Sequence, residues 1–454
     1  MITNFKKYES FEFSKTKFIG HEVLNSKSTV LGLFNSNCEP VQTLTEHGFI
    51  IFDNTPFYAL SGGQDSDIGT IEVKGKFYDL LNVRKDIVYG YFIHEINLGT
   101  SYVNIGDILD LKVDKVFRDQ SSISHSALHI TWQAILDLTN HTDEQVGSKL
   151  NNEKFQIQFA LDDLITEKIT TQAVKFVNEK IIPKEIETNV YYLSQQEAID
   201  KKYLFGFTKV MNNDLVRLIE FPGFTTEPCS GTHVKNTREI KQVWFTNYDK
   251  NSKRIAIDMT ANPTYAKSFF DEKLIGRFNQ MKSIINKGLE AGLKHNFESD
   301  VKHAQSLTNV WDYNSIKELN SIYKETTSIV NKYLKSLETE MLKNFGDQKL
   351  TFKTIGNFNL FNLDNEMYSN KVLIAKAIKL SNETPDQVIV IVNKFDSGSN
   401  AIIIRNKSLD FNTKEFNQST ILPNTTFRGG GTDSMIQLVS QNADDGYKLI
   451  SLLR

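Results

Sequence analysis

Residues 125–129 read HSALH and residues 229–233 read CSGTH. No other feature constrains the fold as much. Each stretch holds two metal-ligand side chains at i, i+4, in a chain with only 2 cysteines and 9 histidines. His125 and His129 fall on a predicted helix, where that spacing puts both on one face. Cys229 and His233 flank Ser230-Gly231-Thr232, a small-residue turn that lets both side chains converge. Imidazole and thiolate are the ligands Zn2+ prefers in tetrahedral geometry. One site built from both pairs requires the helix and the turn to share a domain. On spacing alone, surface or core residues explain the pairs equally well.

With 454 residues, the chain exceeds what one hydrophobic core usually holds, so two to four domains are expected. Hydrophobic residues are 40% and charged residues 24%, ordinary for a soluble globular protein. The net charge of -3 gives no whole-protein footprint for nucleic acid. Two cysteines are too few for a disulfide framework and fit a reducing compartment. The start, MITNFKKYES, lacks the apolar core of a signal peptide, and no long apolar run suggests a membrane span. The expected location is cytoplasmic, with no membrane partner.

The predicted fold class is α+β, in four parts. Residues 1–115 carry short apolar runs broken by Gly, Pro and Asp, expected as a small β-barrel or curled sheet. Residues 116–260 read as mixed α+β. A helix there carries Leu128, Ile130, Trp132, Ile135 and Leu136, with serines before His125 as caps. Strands are expected at 155–159, 189–193 and 214–220, and a hairpin at 244–260. Residues 261–346 lose strand signals. Ile316, Leu319, Tyr323, Thr326, Val330, Tyr333 and Leu337 recur three and four apart, predicting an antiparallel helical hairpin turning near 306–314. The lysines on it (Lys267, Lys282, Lys287, Lys294, Lys332, Lys335) are expected as a solvated face. Residues 347–454 return to α/β, with a helix at 370–380, strands at 387–392 and 401–405, and a glycine loop at Gly429-Gly430-Gly431. Cys38 is read as an inert buried thiol, and His141 and His295 as surface residues.

The residues around the ligands point further. TTEPCSGTHVKNTREI resembles the CGGTH motif of alanyl-tRNA synthetase editing domains and their free-standing relatives, the AlaX proteins. HSALH is similar to the HxxxH of that family, and VGSKL (146–150) to the segment after it. TPFYALSGGQDSDIG (55–69) is similar to the signature of the barrel half of the editing module. FIGHE (18–22) resembles its start, and RGGGTDSM the glycine-rich loop of the C-terminal domain. The order is the family's, over nearly the whole chain. Ser230 stands for a family glycine, Leu60 where the synthetases usually carry glutamate, and TDS (432–434) for a basic-Pro-Asp pattern.

The resemblance implies the back half of a synthetase: editing domain, helical linker and C-terminal domain, without the class II aminoacylation core. It implies hydrolysis of tRNA(Ala) carrying a wrong amino acid, serine or glycine, in trans or beside a separate aminoacylation polypeptide. The metal would be zinc on His125, His129, Cys229 and His233. Gln64 is the best candidate for a polar group facing the pocket, although a β-turn glutamine fits equally well. Thr232 is placed to position water or the seryl hydroxyl. Gly62 and Gly63 would let backbone N–H groups approach the substrate. Gly429, Gly430 and Gly431 are implied to contact the tRNA body in a domain that helps oligomerise, with a homodimer as one form. Two readings compete with the hydrolase: a non-catalytic tRNA-binding module with structural zinc, and an alanine–tRNA ligase fragment that cannot charge tRNA.

Overall fold

The computed structural model describes residues 15–86, 90–140, 147–201, 203, 215–347, 350–364 and 368–454. Val146 of the VGSKL segment and His141 lie outside the described residues. The chain divides into two compact units. One comprises residues 1–279 with 302–321, and the other 280–301 with 322–454.

The first unit opens with a closed barrel. Its strands, in spatial order, are Asn25–Asn35, Thr43–Phe52, Phe92–Asn104, Lys76–Lys85, Gly69–Val73 and Ile108–Val113. Closure removes the free edges that so many short strands would otherwise leave. Alternate residues such as Ile50, Phe52, Ile71, Val73, Leu109 and Leu111 fill the interior. His94 is fully buried. Its Nδ1 lies 3.2 Å from the carbonyl of Ile50 and its Nε2 2.8 Å from Thr55 Oγ1.

The helix Lys115–Thr139 follows at once. It begins well before the serines expected to cap it. Asp114 is the cap, accepting from the Phe117 amide at 2.9 Å. The serines sit inside the helix, where Ser122 Oγ donates back to the Arg118 carbonyl. Ala127, Leu128, Ile130, Ala134 and Ile135 bury one flank against a four-stranded sheet. That sheet has the order Trp244–Lys250, Arg254–Thr260, Phe155–Ala160, Gly147–Leu150. Trp132 stacks on Phe159 at 4.5 Å. A three-stranded sheet, Asn189–Ser194, Leu215–Phe221 and Thr225–Pro228, leads into the CSGTH turn.

Helix and barrel are joined by a buried ion pair. Arg118 Nε donates to both Asp67 oxygens, at 2.9 and 3.1 Å, and Nη2 to the Pro56 carbonyl at 2.8 Å. Its Nη1 takes the Gly20 carbonyl, and Asp67 also accepts from the Tyr58 amide at 2.6 Å. A charge pair this deep holds only because its donors and acceptors find partners.

The helical stretch has three arms rather than two. Pro263–Phe270 continues through a π-turn, Asp271–Ile275, into Gly276–Glu290; then come Glu298–Leu307 and Tyr313–Asp347. The turn after Leu307 falls where expected, and a second break at 291–297 went unread. Leu319, Thr326 and Val330 of the seam are buried, and its other members half-buried. All six lysines are exposed.

In the second unit a six-stranded sheet runs Lys353–Ile355, Phe358–Asp364, Val388–Phe395, Gly398–Ile404, Met435–Ser440, Arg428–Gly431. Ile389 and Ile391 face the helix Asn370–Glu383, while Val388, Val390 and Val392 face Leu449 of the helix Asp444–Leu452. The three glycines form an edge strand instead of a loop. At Gly429 a Cβ would overlap the Gln437 carbonyl and at Gly431 that of Met435, so only glycine permits this pairing. Cys38 is only partly buried, at a turn position with φ 61°. His295 is exposed. Among the described residues no helix is long and apolar enough to cross a membrane.

Two outcomes follow from the buried charges. Arg118→Met should cost about 3–5 kcal/mol, because it strands a buried carboxylate. Pairing it with Asp67→Leu should recover most of that. Urea unfolding followed by tryptophan fluorescence measures both, and a single-variant cost below about 1 kcal/mol would contradict the role given to the pair. Burial lowers the His94 pKa to about 4, with the Ile50 and Phe92 carbonyls only partly offsetting it. The unfolded chain titrates near the ordinary imidazole value of 6.5, so the native state favours the neutral ring. The stability this gives is complete above pH 6.5 and falls away as pH drops toward 4. His94→Gln should flatten the urea midpoint between pH 7 and about pH 4.5.

Candidate metal centre

The helix and the CSGTH turn meet at one place. Among the described residues, one group of His, Cys or carboxylate side chains can hold a metal ion: His125, His129, Cys229 and His233. One ligand atom from each lies within 4.8 Å of all the others. Cys229 Sγ is 3.4 Å from His125 Nε2 and 3.3 Å from His233 Nε2. A tetrahedral ion with bonds of roughly 2.0–2.3 Å has ligand–ligand edges of about 3.5 Å, so these spacings suit one.

Each imidazole is fixed from behind. His125 Nδ1 donates to Gln64 Oε1 at 2.7 Å, His129 Nδ1 to Glu227 Oε2 at 2.6 Å, and His233 Nδ1 pairs with Ser126 Oγ at 3.1 Å. All three rings therefore turn Nε2 inward. A ligand histidine bound through its other nitrogen to a carboxylate, carbonyl or hydroxyl is the usual support of a metal site.

The charges of Cys229 and His233 match that use. Burial alone would raise the Cys229 pKa, but the three imidazoles pull it well below the ordinary thiol value, favouring thiolate. His233 is pushed down to about 3, by burial first, and stays neutral. Burial also lowers His129, yet the Glu227 carboxylate and the Cys229 thiolate outweigh it and hold that ring well above its usual pKa, so a metal bound there would have to displace its proton.

Gln64 and Thr232 belong to the same assembly. Gln64 is fully buried. Its Oε1 also accepts the Thr232 amide at 3.1 Å, and its Nε2 donates to Thr232 Oγ1 at 3.0 Å. Ser122 Oγ meets the same hydroxyl at 2.9 Å. Gly62 and Gly63, on the loop before Gln64, have φ of 57° and 82°. A Cβ at Gly63 would overlap the Ser148 carbonyl, so this glycine docks the loop on the strand Gly147–Leu150. At Gly62 a Cβ would meet only the Tyr58 hydroxyl, at 4.0 Å. Gly429, Gly430 and Gly431 belong to the other compact unit.

The sequence reading missed Glu227, Ser126 and Ser122. Ser122, His125, Ser126 and His129 recur three and four apart, a polar stripe on a largely buried helix. Thr225, Glu227 and Cys229 alternate along a strand and its continuation, and share a face. Both periods were available.

Comparison with known proteins bears on this constellation. A family profile described as "Threonyl and Alanyl tRNA synthetase second additional domain" matches residues 216–256, which include Glu227, Cys229 and His233. Curated proteins similar to this chain include alanine–tRNA ligases. The alanine–tRNA ligase of Mycoplasmopsis pulmonis (strain UAB CTIP) is 25% identical over 449 residues, covering 96% of this chain and 48% of that protein. That of Wigglesworthia glossinidia brevipalpis is 28% identical over 362 residues, covering 79% and 38%. That of Thermoanaerobacter sp. (strain X514) is 30% identical over 236 residues, covering 51% and 26%. The chain spans about half the length of the curated relatives it matches. A second profile, "tRNA synthetases class II (A)", matches residues 2–117, which from residue 15 fold chiefly as the barrel. Among solved structures, the C-Ala domain of Aquifex aeolicus alanyl-tRNA synthetase is 21% identical, covering 23% of this chain and 97% of that one with a TM-score of 0.21.

The turn makes a sharp demand at Gly231. A Cβ there would overlap the His125 ring at Cε1 and Nδ1 and crowd Gln64 Oε1 at 3.0 Å. Gly231→Ala should therefore displace His125 and weaken metal affinity at least about tenfold. Titration of added Zn2+ against a chromophoric chelator measures the loss. Wild-type affinity would contradict the packing described.

Proposed function

We propose that this chain hydrolyses the ester of tRNA(Ala) charged with serine, and of its glycine counterpart, at a zinc-bearing editing site. It does so in trans or as the editing half of a split alanyl-tRNA synthetase. The observation that carries the reading is the four-donor cluster with every imidazole braced at Nδ1, two of whose donors, Cys229 and His233, fall within the residues matching the additional domain. The chemistry explains the need. A pocket made for alanine rejects serine or glycine weakly, since a methylene or hydroxyl is worth only about 1–3 kcal/mol.

His125, His129, Cys229 and His233 are the residues that would hold the ion. Bound there, zinc supplies Lewis acidity toward the ester carbonyl, an activated water or an anchor for the amino group. Gln64 keeps His125 and Thr232 in register, Glu227 and Ser126 do the same for His129 and His233, and Thr232 offers a hydroxyl beside them. The exposed edge strand Arg428–Gly431 is the proposed contact with the tRNA body.

A second reading has its own support. Four protein donors also suit a closed structural shell. In that case the chain binds tRNA and holds zinc without releasing amino acid.

One assay separates the two. The zinc-loaded chain should release serine from Ser-tRNA(Ala) much faster than alanine from Ala-tRNA(Ala). Cys229→Ala should lose the metal and slow serine release by at least about 100-fold, beyond what loss of a supporting residue costs. Zinc-loaded wild type that releases serine no faster than buffer would refute the hydrolase reading in favour of the binding module.

A further inference from the structure

Arg217 stands on the strand Leu215–Phe221, opposite Tyr192 of the strand Asn189–Ser194. Its Nη1 donates to the carbonyl of Cys229 at 2.7 Å and to that of Gly231 at 3.0 Å. Its own carbonyl accepts the Cys229 amide at 3.0 Å. One residue thus grips the turn at three points, both sides of Ser230. Within the same turn the Gly231 amide donates to Cys229 Sγ at 3.3 Å, and a Cβ at Gly231 would overlap the His125 ring. The Arg217 Nε is buried without a partner. An unmet buried donor costs about 1–3 kcal/mol. A side chain serving the strand alone would have no reason to sit this way.

We propose that Arg217 is a positioning residue for the metal centre: by gathering the Cys229 and Gly231 carbonyls it sets the curvature of the CSGTH turn. That curvature places Sγ among the three Nε2 atoms and leaves Gly231 no room except against His125. The proposal rests on the reading of the cluster as a zinc site.

The test uses the full chain. Zn2+ affinity is measured by chelator competition in wild type, Arg217→Met and Arg217→Lys. Methionine keeps the stem and removes both donors; it should weaken affinity about tenfold or more. Lysine can reach the carbonyls as a point charge but lacks the planar fork, so it should fall between the two. A second readout needs no metal. In the stripped chain, iodoacetamide alkylation of Cys229, followed by peptide mass with Cys38 as reference, should be several-fold faster in Arg217→Met. A generally loosened fold would speed Cys38 as well. Wild-type affinity with wild-type Cys229 alkylation in Arg217→Met overturns the proposal. Should that variant fail to fold, Arg217→Lys decides, a several-fold loss supporting the proposal and wild-type behaviour refuting it. A wild-type chain that binds no zinc removes the functional reading instead, and the alkylation rates still judge Arg217.

Discussion

The buried amide of Gln64 is where the barrel, the long helix and the ligand turn meet. It is fully buried, so every polar atom it leaves unpaired would cost about 1–3 kcal/mol. His125 and Thr232 supply the partners, one from the helix and one from the turn. Satisfying that one side chain therefore requires three separate pieces of chain at fixed distances. The four side chains that could hold a metal inherit the arrangement. His125 is oriented by Gln64 itself, and Cys229 and His233 belong to the turn whose Thr232 is bonded to it.

The buried pair Arg118–Asp67 works at the next level out. It fixes the start of the helix against the barrel carbonyls of Gly20 and Pro56. Arg118 lies two turns before His125, so the phase of the helix is set before the ligands are reached. Desolvating two charges is unfavourable unless each finds full partners, and here they do. Such a pair tolerates one geometry, which suits a joint that must position rather than merely hold.

The two compact units draw on different physics. In the second, each face of the strand Val388–Phe395 is closed by its own helix, and ordinary apolar burial suffices. In the first, the most buried helix carries serines and histidines where leucines would pack better. A polar stripe in such a position is destabilising unless something else uses it. The partners of Gln64, Glu227, Ser126 and Thr232 give that stripe its use.

Much of this was written in local pattern. Period two marked Phe155–Ala160, and apolar runs bounded by turn residues marked the barrel strands, the hairpin at 244–260 and the strand Val388–Phe395. Period 3.6 marked the long helix and the seam of Tyr313–Asp347. The spacing within HSALH and CSGTH fixed which side chains could share an ion, because four residues is one helical turn or one tight loop. Local pattern could not say that the two pairs, some hundred residues apart, would meet, since sequence spacing carries no distance between elements. It misplaced the helix start, because a serine reads as a cap until the interior around it is known. It took Gly429–Gly431 for a loop, because the need for glycine there comes from Gln437 and Met435 on the neighbouring strand. It did not reveal Glu227 behind His129, Ser126 behind His233 or Arg217 around the turn. Those partnerships are contacts across elements, and only the packed tertiary structure decides them.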